Sequence, residues 1–247
     1  MTLPLTELLV AQRARGVQID SLPPELVPAD AATAYRVQTE TVLTLGPVGA
    51  WKVQPYPETG EPFAAPIPRS TVFGGKAELA ASTFPAPAIE AEVAVTLNRD
   101  LPQRAESYSA EELAEAIGSL HLAIEVLSSR FAAPSALPFL VSLADLQNNA
   151  AVIVGPARSA AALPKLGEQP MIMAVDGTEI GRVAGGATTR TVLRSLAWLA
   201  DHAAARGLPL KQGDVIITGA RIGALPLEGR TVVVEAEGFE PVSATFE

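Results

Sequence analysis

The sequence predicts an α+β protein, with helices early and then a large, mainly antiparallel sheet system carrying two inserted helices. Three observations predict it. Two helix-length segments with terminating or capping residues precede residue 47. Segments of alternating apolar residues recur from Ile89 to Phe246. An Asp176-Gly177 pair separates two of them, which is the turn chemistry of a hairpin.

In chain order, Leu5, Leu8 and Leu9, followed by Gln12 and Arg13, predict a short amphipathic helix that stops at Gly16. Residues 21–28 are a proline-broken connector. Asp30 is an N-cap for a helix over 31–45, with Tyr35, Val42 and Leu45 on one face and Gly46-Pro47 ending it. Between Trp51 and Pro87 seven prolines preclude a long helix, so a structured loop region with short strands is expected there. Residues 89–97 alternate: Ile89, Ala91, Val93 and Val95 face one way, Glu90, Glu92, Ala94 and Thr96 the other.

Ser109 with Glu112 is a capping-box pattern, opening a helix over 110–117 that Gly118 closes. In a second strand, over 120–127, Leu120, Leu122, Ile124 and Val126 oppose His121, Ala123, Glu125 and Leu127. Residues 150–154 form a short buried strand. Residues 171–175 and 178–183 are the hairpin arms. Val192, Leu193, Leu196, Leu199, Ala200 and Ala203 mark a helix ending at Gly207, and strands over 215–218, 231–237 and 241–246 complete the chain. There is no internal repeat.

Composition narrows the function classes. A chain of 247 residues can bury a substantial core as one large domain or two small ones. With no cysteine, neither a disulfide framework nor a thiolate metal site is possible. The 27 acidic against 18 basic residues argue against a nucleic-acid partner, which needs clustered Lys and Arg. Glu7 interrupts the apolar stretch that a secretion signal needs, and no apolar run approaches the roughly 20 residues that span a bilayer. A soluble, cytoplasmic protein without a membrane partner is expected.

Glu90 and Glu92 lie two apart on a strand, so the pleat sends both carboxylates to one face. On spacing alone a solvated strand face explains them; the sharper alternative is a divalent metal site. Glu125 favours the second, as the only charged residue besides His121 in an apolar strand, although a buried hydrogen-bonded Glu would also account for it. Three carboxylates with open water positions suit a hard cation such as Mg²⁺ or Mn²⁺. Zinc is disfavoured, since the only histidines are His121 and His202, the latter in a helical pattern and read as a surface residue.

Several stretches then occur in a telling order: Trp51-Lys52-Val53, Ile89-Glu90-Ala91-Glu92-Val93-Ala94, Asn98-Arg99-Asp100-Leu101-Pro102 and Ala123-Ile124-Glu125-Val126-Leu127-Ser128-Ser129-Arg130. Asn149-Ala150-Ala151 before Gly155, Ala197-Trp198-Leu199-Ala200 and the stretch 210–219 follow. Over nearly its full length the chain resembles the fumarylacetoacetate hydrolase superfamily, in its branch of 2-keto-4-pentenoate hydratases and 4-oxalocrotonate decarboxylases. The resemblance implies a rolled, mainly antiparallel sheet core with peripheral helices. It divides the chain into an N-terminal helical and mixed region over 1–75, with the lysine strand and Pro-rich loop, and a β-rich metal-binding catalytic domain over 76–247.

The resemblance also implies Glu90, Glu92 and Glu125 as ligands of Mg²⁺ or Mn²⁺, and Lys52 in the active site. Thr218 and Gly219 would offer a hydroxyl and an N–H to a substrate carboxylate, with Arg130 and Arg221 as further carboxylate partners. The chain departs from the branch where a Glu-Pro-Asp-(aromatic)-Gly segment reads Glu61-Pro62-Phe63-Ala64-Ala65, and where Val-Asp-Ser-Arg reads Leu127-Ser128-Ser129-Arg130. Glu61, or Glu58 beside it, is then the expected substitute acid, on a Pro-rich lid over 54–68. The implied activity is a lyase, hydratase or decarboxylase, of a small 2-oxo acid or its dienol in aromatic-compound catabolism, within a homo-oligomer. Hydrolysis of an acylpyruvate and non-catalytic binding of a 2-oxo acid are the alternatives.

Overall fold

The computed structural model describes residues 2–247. Its elements are α1 (Pro4–Arg15), α2 (Ala31–Leu45), β1 (Val48–Val53), β2 (Ala64–Pro68), β3 (Val72–Gly74), β4 (Lys76–Leu79), β5 (Ala88–Leu97), α3 (Ala110–Ala116), β6 (Ile117–Leu127), α4 (Phe139–Ala144), β7 (Asn149–Val154), β8 (Arg158–Ser159), β9 (Met171–Val175), β10 (Thr178–Val183), α5 (Thr189–Ala205), β11 (Val215–Ile217), β12 (Ile222–Pro226), β13 (Thr231–Glu235) and β14 (Val242–Phe246).

The first two helices begin and end where capping chemistry places them. Gly16 ends α1 in a left-handed conformation, φ 64°, its N–H returning to the Gln12 carbonyl. The Asp30 carboxylate accepts from the Thr33 N–H at 2.7 Å and starts α2. The buried stripe of α2 runs through Ala34, Val37, Gln38, Thr41 and Val42, leaving Tyr35 and Leu45 at its margins. Helices α1, α2 and α4 share a small core of Leu5, Leu9, Val37, Val141 and Leu143.

The strands form a larger sheet with the path β2-β1-β11-β5-β6-β7-β3, joined by β12 and β8, and a smaller one ordered β10-β9-β13-β14-β4. Both are open and mixed: β1/β11, β3/β7 and β4/β14 are parallel, and the other pairs among the described residues are antiparallel. The alternation in β5 assigns its two faces. Ile89, Ala91, Val93 and Val95 belong to the main core with Met171 and Met173 of β9, Val232 and Val234 of β13 and Val242 of β14. The opposite face of the larger sheet carries small and branched residues (Ala50, Ile67, Ala94, Ala123, Val152 and Ile217) and the three glutamates. Among the described residues, no helix is long and apolar enough to cross a membrane.

Three local outcomes bear on the sequence expectation. β2 is one of the short strands expected in the Pro-rich region, and it tolerates Pro66 and Pro68 because it pairs only with β1, so the missing N–H groups cost no second ladder. Gly118 does not close α3; the helix ends at Ala116 and Gly118 lies in β6, where a Cβ would come within 3.1 Å of Asn98 Cβ. The hairpin turn is as expected, with φ positive at both Asp176 (49°) and Gly177 (80°).

His202, expected at the surface, is instead stacked on Trp198 with ring centroids 4.3 Å apart and meets Tyr35 edge-on at 4.4 Å. Burial and then the Arg206 charge lower its pKa to about 4 from 6.5. The unfolded chain therefore binds the proton first, and stability is fully present above about pH 6.5 and lost as pH falls towards about 4. Denaturant midpoints measured from pH 7 to 4 are expected to fall more steeply in the parent than in His202→Gln. Parallel profiles would show that His202 does not carry this dependence.

Candidate metal centre

Strand pairing builds the site. In β5, Glu90 and Glu92 share a face by alternation, and the β5/β6 register sets Glu125 directly opposite Glu90. Each of the three offers a carboxylate oxygen, all within 4.8 Å of one another. Lys52 reaches the same face from β1 through the register Lys52↔Ile217 and Ile217↔Ala94. Glu92 is 2% exposed and Glu125 fully buried, so these charges have little water to lean on.

Each buried carboxylate is held by named donors. Lys52 Nζ donates to Glu125 Oε1 at 2.6 Å, and Asn149 Nδ2 donates to the same oxygen at 2.9 Å. Gly219 N–H donates to Glu92 Oε2 at 2.7 Å. Glu125 Oε2 is buried with no hydrogen-bond partner. Burial and then the charge of Glu125 push the Glu90 carboxyl up to about 7, with Lys52 opposing the rise. Burial, followed by Glu125 and Glu90, pushes Glu92 well above the usual range. For Lys52 burial pulls the other way, but the charges of Glu125, Glu90 and Glu92 outweigh it and hold the ammonium above its ordinary value.

Fully ionised, three acids against one ammonium would carry two net negative charges, and one oxygen of this buried cluster has no partner among the described residues. A divalent cation would offset both charges and give that oxygen a ligand bond. The donor set fits a hard cation, since it contains only carboxylate oxygens. His121 is not available: its Nδ1–H donates to the Gly155 carbonyl at 2.8 Å, while Nε2 accepts from the Thr96 and Ser119 hydroxyls at 2.9 Å.

Glu90 and Glu92 open into a cleft of about 210 Å³ that Lys52, Gln54, Pro55, Gln147 and Gly219 also line. Glycine is required at 219: φ is 104°, and a Cβ there would lie 2.4 Å from the Pro55 ring. Leu146, Gln147 and Asn148 are consecutive left-handed residues, φ 52°, 53° and 61°, a conformation that costs about 1–2 kcal/mol per residue. This segment sets Gln147 at the cleft with its Nε2 unpartnered, and Asn149 against Glu125.

The fold thus brings together Lys52, Glu90, Glu92, Glu125 and Gly219. It does not bring the other expected residues to the cleft. The Thr218 hydroxyl is spent on the Val93 carbonyl at 2.8 Å, and the Gly219 N–H serves Glu92 instead of a free substrate position. Arg130 is committed to Asp145, Nε donating to its two oxygens at 2.8 and 2.9 Å, and lines a different cavity. Arg221 does not line the cleft; it is buried with Nη2 on the Ala187 carbonyl and with Nε and Nη1 unpartnered among the described residues, and the charge of Glu92 opposes the effect of its burial. Glu58 and Glu61 are exposed, because residues 54–63 are the connection of the antiparallel β1/β2 pair, tied at its base by Gln54 N–H to the Phe63 carbonyl at 3.0 Å. Sequence reasoning missed Gln147, Gln54 and the role of Asn149. The run Gln147-Asn148-Asn149 immediately before a buried apolar strand was the available signal.

Comparison with known proteins gives the family and the fold. The Fumarylacetoacetate (FAA) hydrolase C-terminal family model matches residues 33–247. A 2-keto-4-pentenoate hydratase of Burkholderia vietnamiensis is 31% identical over 191 residues, covering 77% of this chain and 70% of its own. The 2-keto-4-pentenoate hydratase 2 of Dechloromonas aromatica is 29% identical, covering 97% of this chain and 95% of its own. The solved structure of 4-oxalocrotonate decarboxylase from Pseudomonas putida G7, complexed with magnesium and adipate, has the same fold: TM-score 0.86 at 22% identity, covering 100% of this chain and 97% of that one.

Proposed function

The chain belongs to the fumarylacetoacetate hydrolase family, and from that premise we propose that it is a divalent-metal-dependent lyase, a hydratase or decarboxylase, of a small 2-oxo acid or its 2-hydroxydienoate form in aromatic-compound catabolism. The observation that carries this reading is the convergence of Glu90, Glu92 and Glu125, one buried oxygen of them unpartnered, beside the Lys52 ammonium. The three carboxylates would hold Mg²⁺ or Mn²⁺, which when bound supplies Lewis-acid stabilisation of negative charge at the substrate's 2-oxygen.

The chain's own groups supply the rest. Among the described residues, Lys52 is the one basic side chain lining the cleft. Held protonated by the carboxylates, it serves as a donor to a substrate carboxylate or to a carbon being protonated. Its bond to Glu125 fixes the ammonium in place before substrate arrives. Gly219 and Asn149 orient the carboxylates through N–H donors, as partners of metal ligands do. Gln147 adds an unpartnered N–H donor at the cleft wall. Homo-oligomeric assembly and a cytoplasmic location belong to the same reading.

Single-turnover assays with 2-hydroxypenta-2,4-dienoate, oxalocrotonate and an acylpyruvate test it. Turnover of either of the first two with Mg²⁺, lost on chelation, is the expected result. Cleavage of the acylpyruvate alone would make the protein a C–C hydrolase, and calorimetric pyruvate binding without any turnover would make it a 2-oxo acid binding protein. Exposed as it is, Glu61 is expected not to be the acid: Glu61→Gln should keep turnover within about twofold, against the roughly 10²–10⁴-fold that a general acid contributes. A loss in that larger range would show that the 54–63 connection folds over the cleft.

A further inference from the structure

A second cavity, of about 250 Å³, lies between the C-terminal half of α1 and residues 68–71, 83–85 and 128–130, and shares no lining residue with the metal cleft. Its polar wall holds two buried cations and too little to neutralise them. The side chains of Arg13 and Arg130 are 10% and 7% exposed, and both lean on the single fully buried carboxylate of Asp145. Arg130 Nε takes both Asp145 oxygens, so Arg13 Nη2 is left at 3.4 Å from one of them and bonds the Asn149 carbonyl at 2.9 Å.

Donors remain over. Arg13 Nε is buried without a partner, and among the described residues nothing accepts from the Nη1 of either arginine. The Gln12 carboxamide, also lining the cavity, has its Oε1 buried and unpartnered. Among the described residues no acidic one lines the cavity, and the rest of its wall is largely apolar, with Val10, Val17, Leu45 and Phe84. Burial, followed by the charge of Arg130, lowers Arg13 to about 9, with Asp145 opposing. One buried carboxylate for two guanidinium groups leaves one positive charge uncompensated, and buried charges are stable when paired.

We propose that this cavity is a binding site for a small monocarboxylate with a short apolar tail, its carboxylate completing the Arg13–Arg130–Asp145 cluster and its tail lying against Val10, Leu45 and Phe84. A single negative charge balances the cluster, whereas a dicarboxylate or a phosphate dianion would leave a buried excess of the opposite sign. Arginine is suited to the role, since its fork matches a carboxylate with two parallel donors. The cavity meets the metal centre only through Asn149, whose carbonyl accepts from Arg13 while its side chain donates to Glu125, and the proposal stands independently of the proposed reaction.

Hexanoate is the probe, titrated calorimetrically into full-length protein in EDTA so that no cation contributes at the glutamates. Saturable binding is expected in the parent and in Glu92→Gln alike, with hexanol, which has the same tail and no charge, not binding. Arg13→Gln should weaken hexanoate by about tenfold or more, the loss of a charge-assisted pair of bonds. Ala14→Phe, on an exposed helical position at the cavity wall, should weaken it similarly while leaving both arginines in place, and decides the matter should Arg13→Gln fail to fold. Absence of binding in the parent, or binding that survives both cavity variants, would overturn the proposal. Binding lost in Glu92→Gln would assign the carboxylate to the metal cleft and overturn it equally.

Discussion

Glu92→Gln is expected to abolish the response of the protein to Mg²⁺. Parent protein should gain stability with the cation as RT ln(1 + [Mg²⁺]/Kd), about 2.7 kcal/mol at a hundredfold excess over Kd, and the variant should gain none. The substitution preserves shape, and an amide oxygen can still accept from the Gly219 N–H, so the contact at 2.7 Å need not be lost. What disappears is one negative ligand from a trio that must offset two positive charges. Without metal, burial and then the charges of Glu125 and Glu90 push the Glu92 carboxyl well above the usual range, a cost to the folded state that a neutral amide does not carry. The metal-free variant should therefore be at least as stable as the metal-free parent. Thermal midpoints of both proteins with and without Mg²⁺ read all of this, and an unchanged Mg²⁺ response in the variant would remove Glu92 from the ligand set.

Lys52→Met should have the opposite division of effects. Turnover is expected to fall by about 10²–10⁴-fold, the usual contribution of a positioned proton donor. Mg²⁺ affinity should hold or rise, because the ammonium bonds Glu125 Oε1 at 2.6 Å and competes with a cation for that carboxylate. The metal-free variant should lose stability, since breaking a buried ion pair by removing one partner costs about 3–5 kcal/mol. Mg²⁺ should restore much of that loss by taking over the neutralisation of Glu125. Midpoints with and without Mg²⁺, together with kcat, separate the roles. Equal loss of metal affinity and turnover would contradict them and place Lys52 in support of the metal alone.

The ends of the early helices were legible because they depend on one or two neighbouring residues: Gly16 and Asp30 act within four positions of themselves. Residues 51–87 do hold short strands joined by connections, as expected, but where those strands fall was not legible, for the converse reason. Prolines at 66 and 68 forbid a central strand but not an edge one, and which strand becomes an edge is settled by pairing elsewhere in the chain. Gly118 carries the signal of a helix terminator, yet the structure uses it for a close approach to Asn98, a contact no local pattern announces. The roles read for Arg130 and Thr218 came from residue type and position, and each side chain is spent on a partner that the fold supplies, Asp145 for one and the Val93 carbonyl for the other.

The sequence by itself determined that Glu90 and Glu92 share a face, that β5 and β6 are strands with one fully apolar side, and that no thiolate can hold a metal here, since there is no cysteine and a period of two admits no other arrangement of that strand. Only the tertiary structure decided that Glu125 stands opposite Glu90, that Lys52 arrives across β11 from 73 residues away, and that the Gly219 N–H closes on Glu92 from 127 residues away. Alternation says which side of a strand a residue faces but nothing of its register against another strand. Register follows from how the whole apolar face is buried and where the connections permit the strands to meet, which is a property of the assembled sheet and of no segment within it.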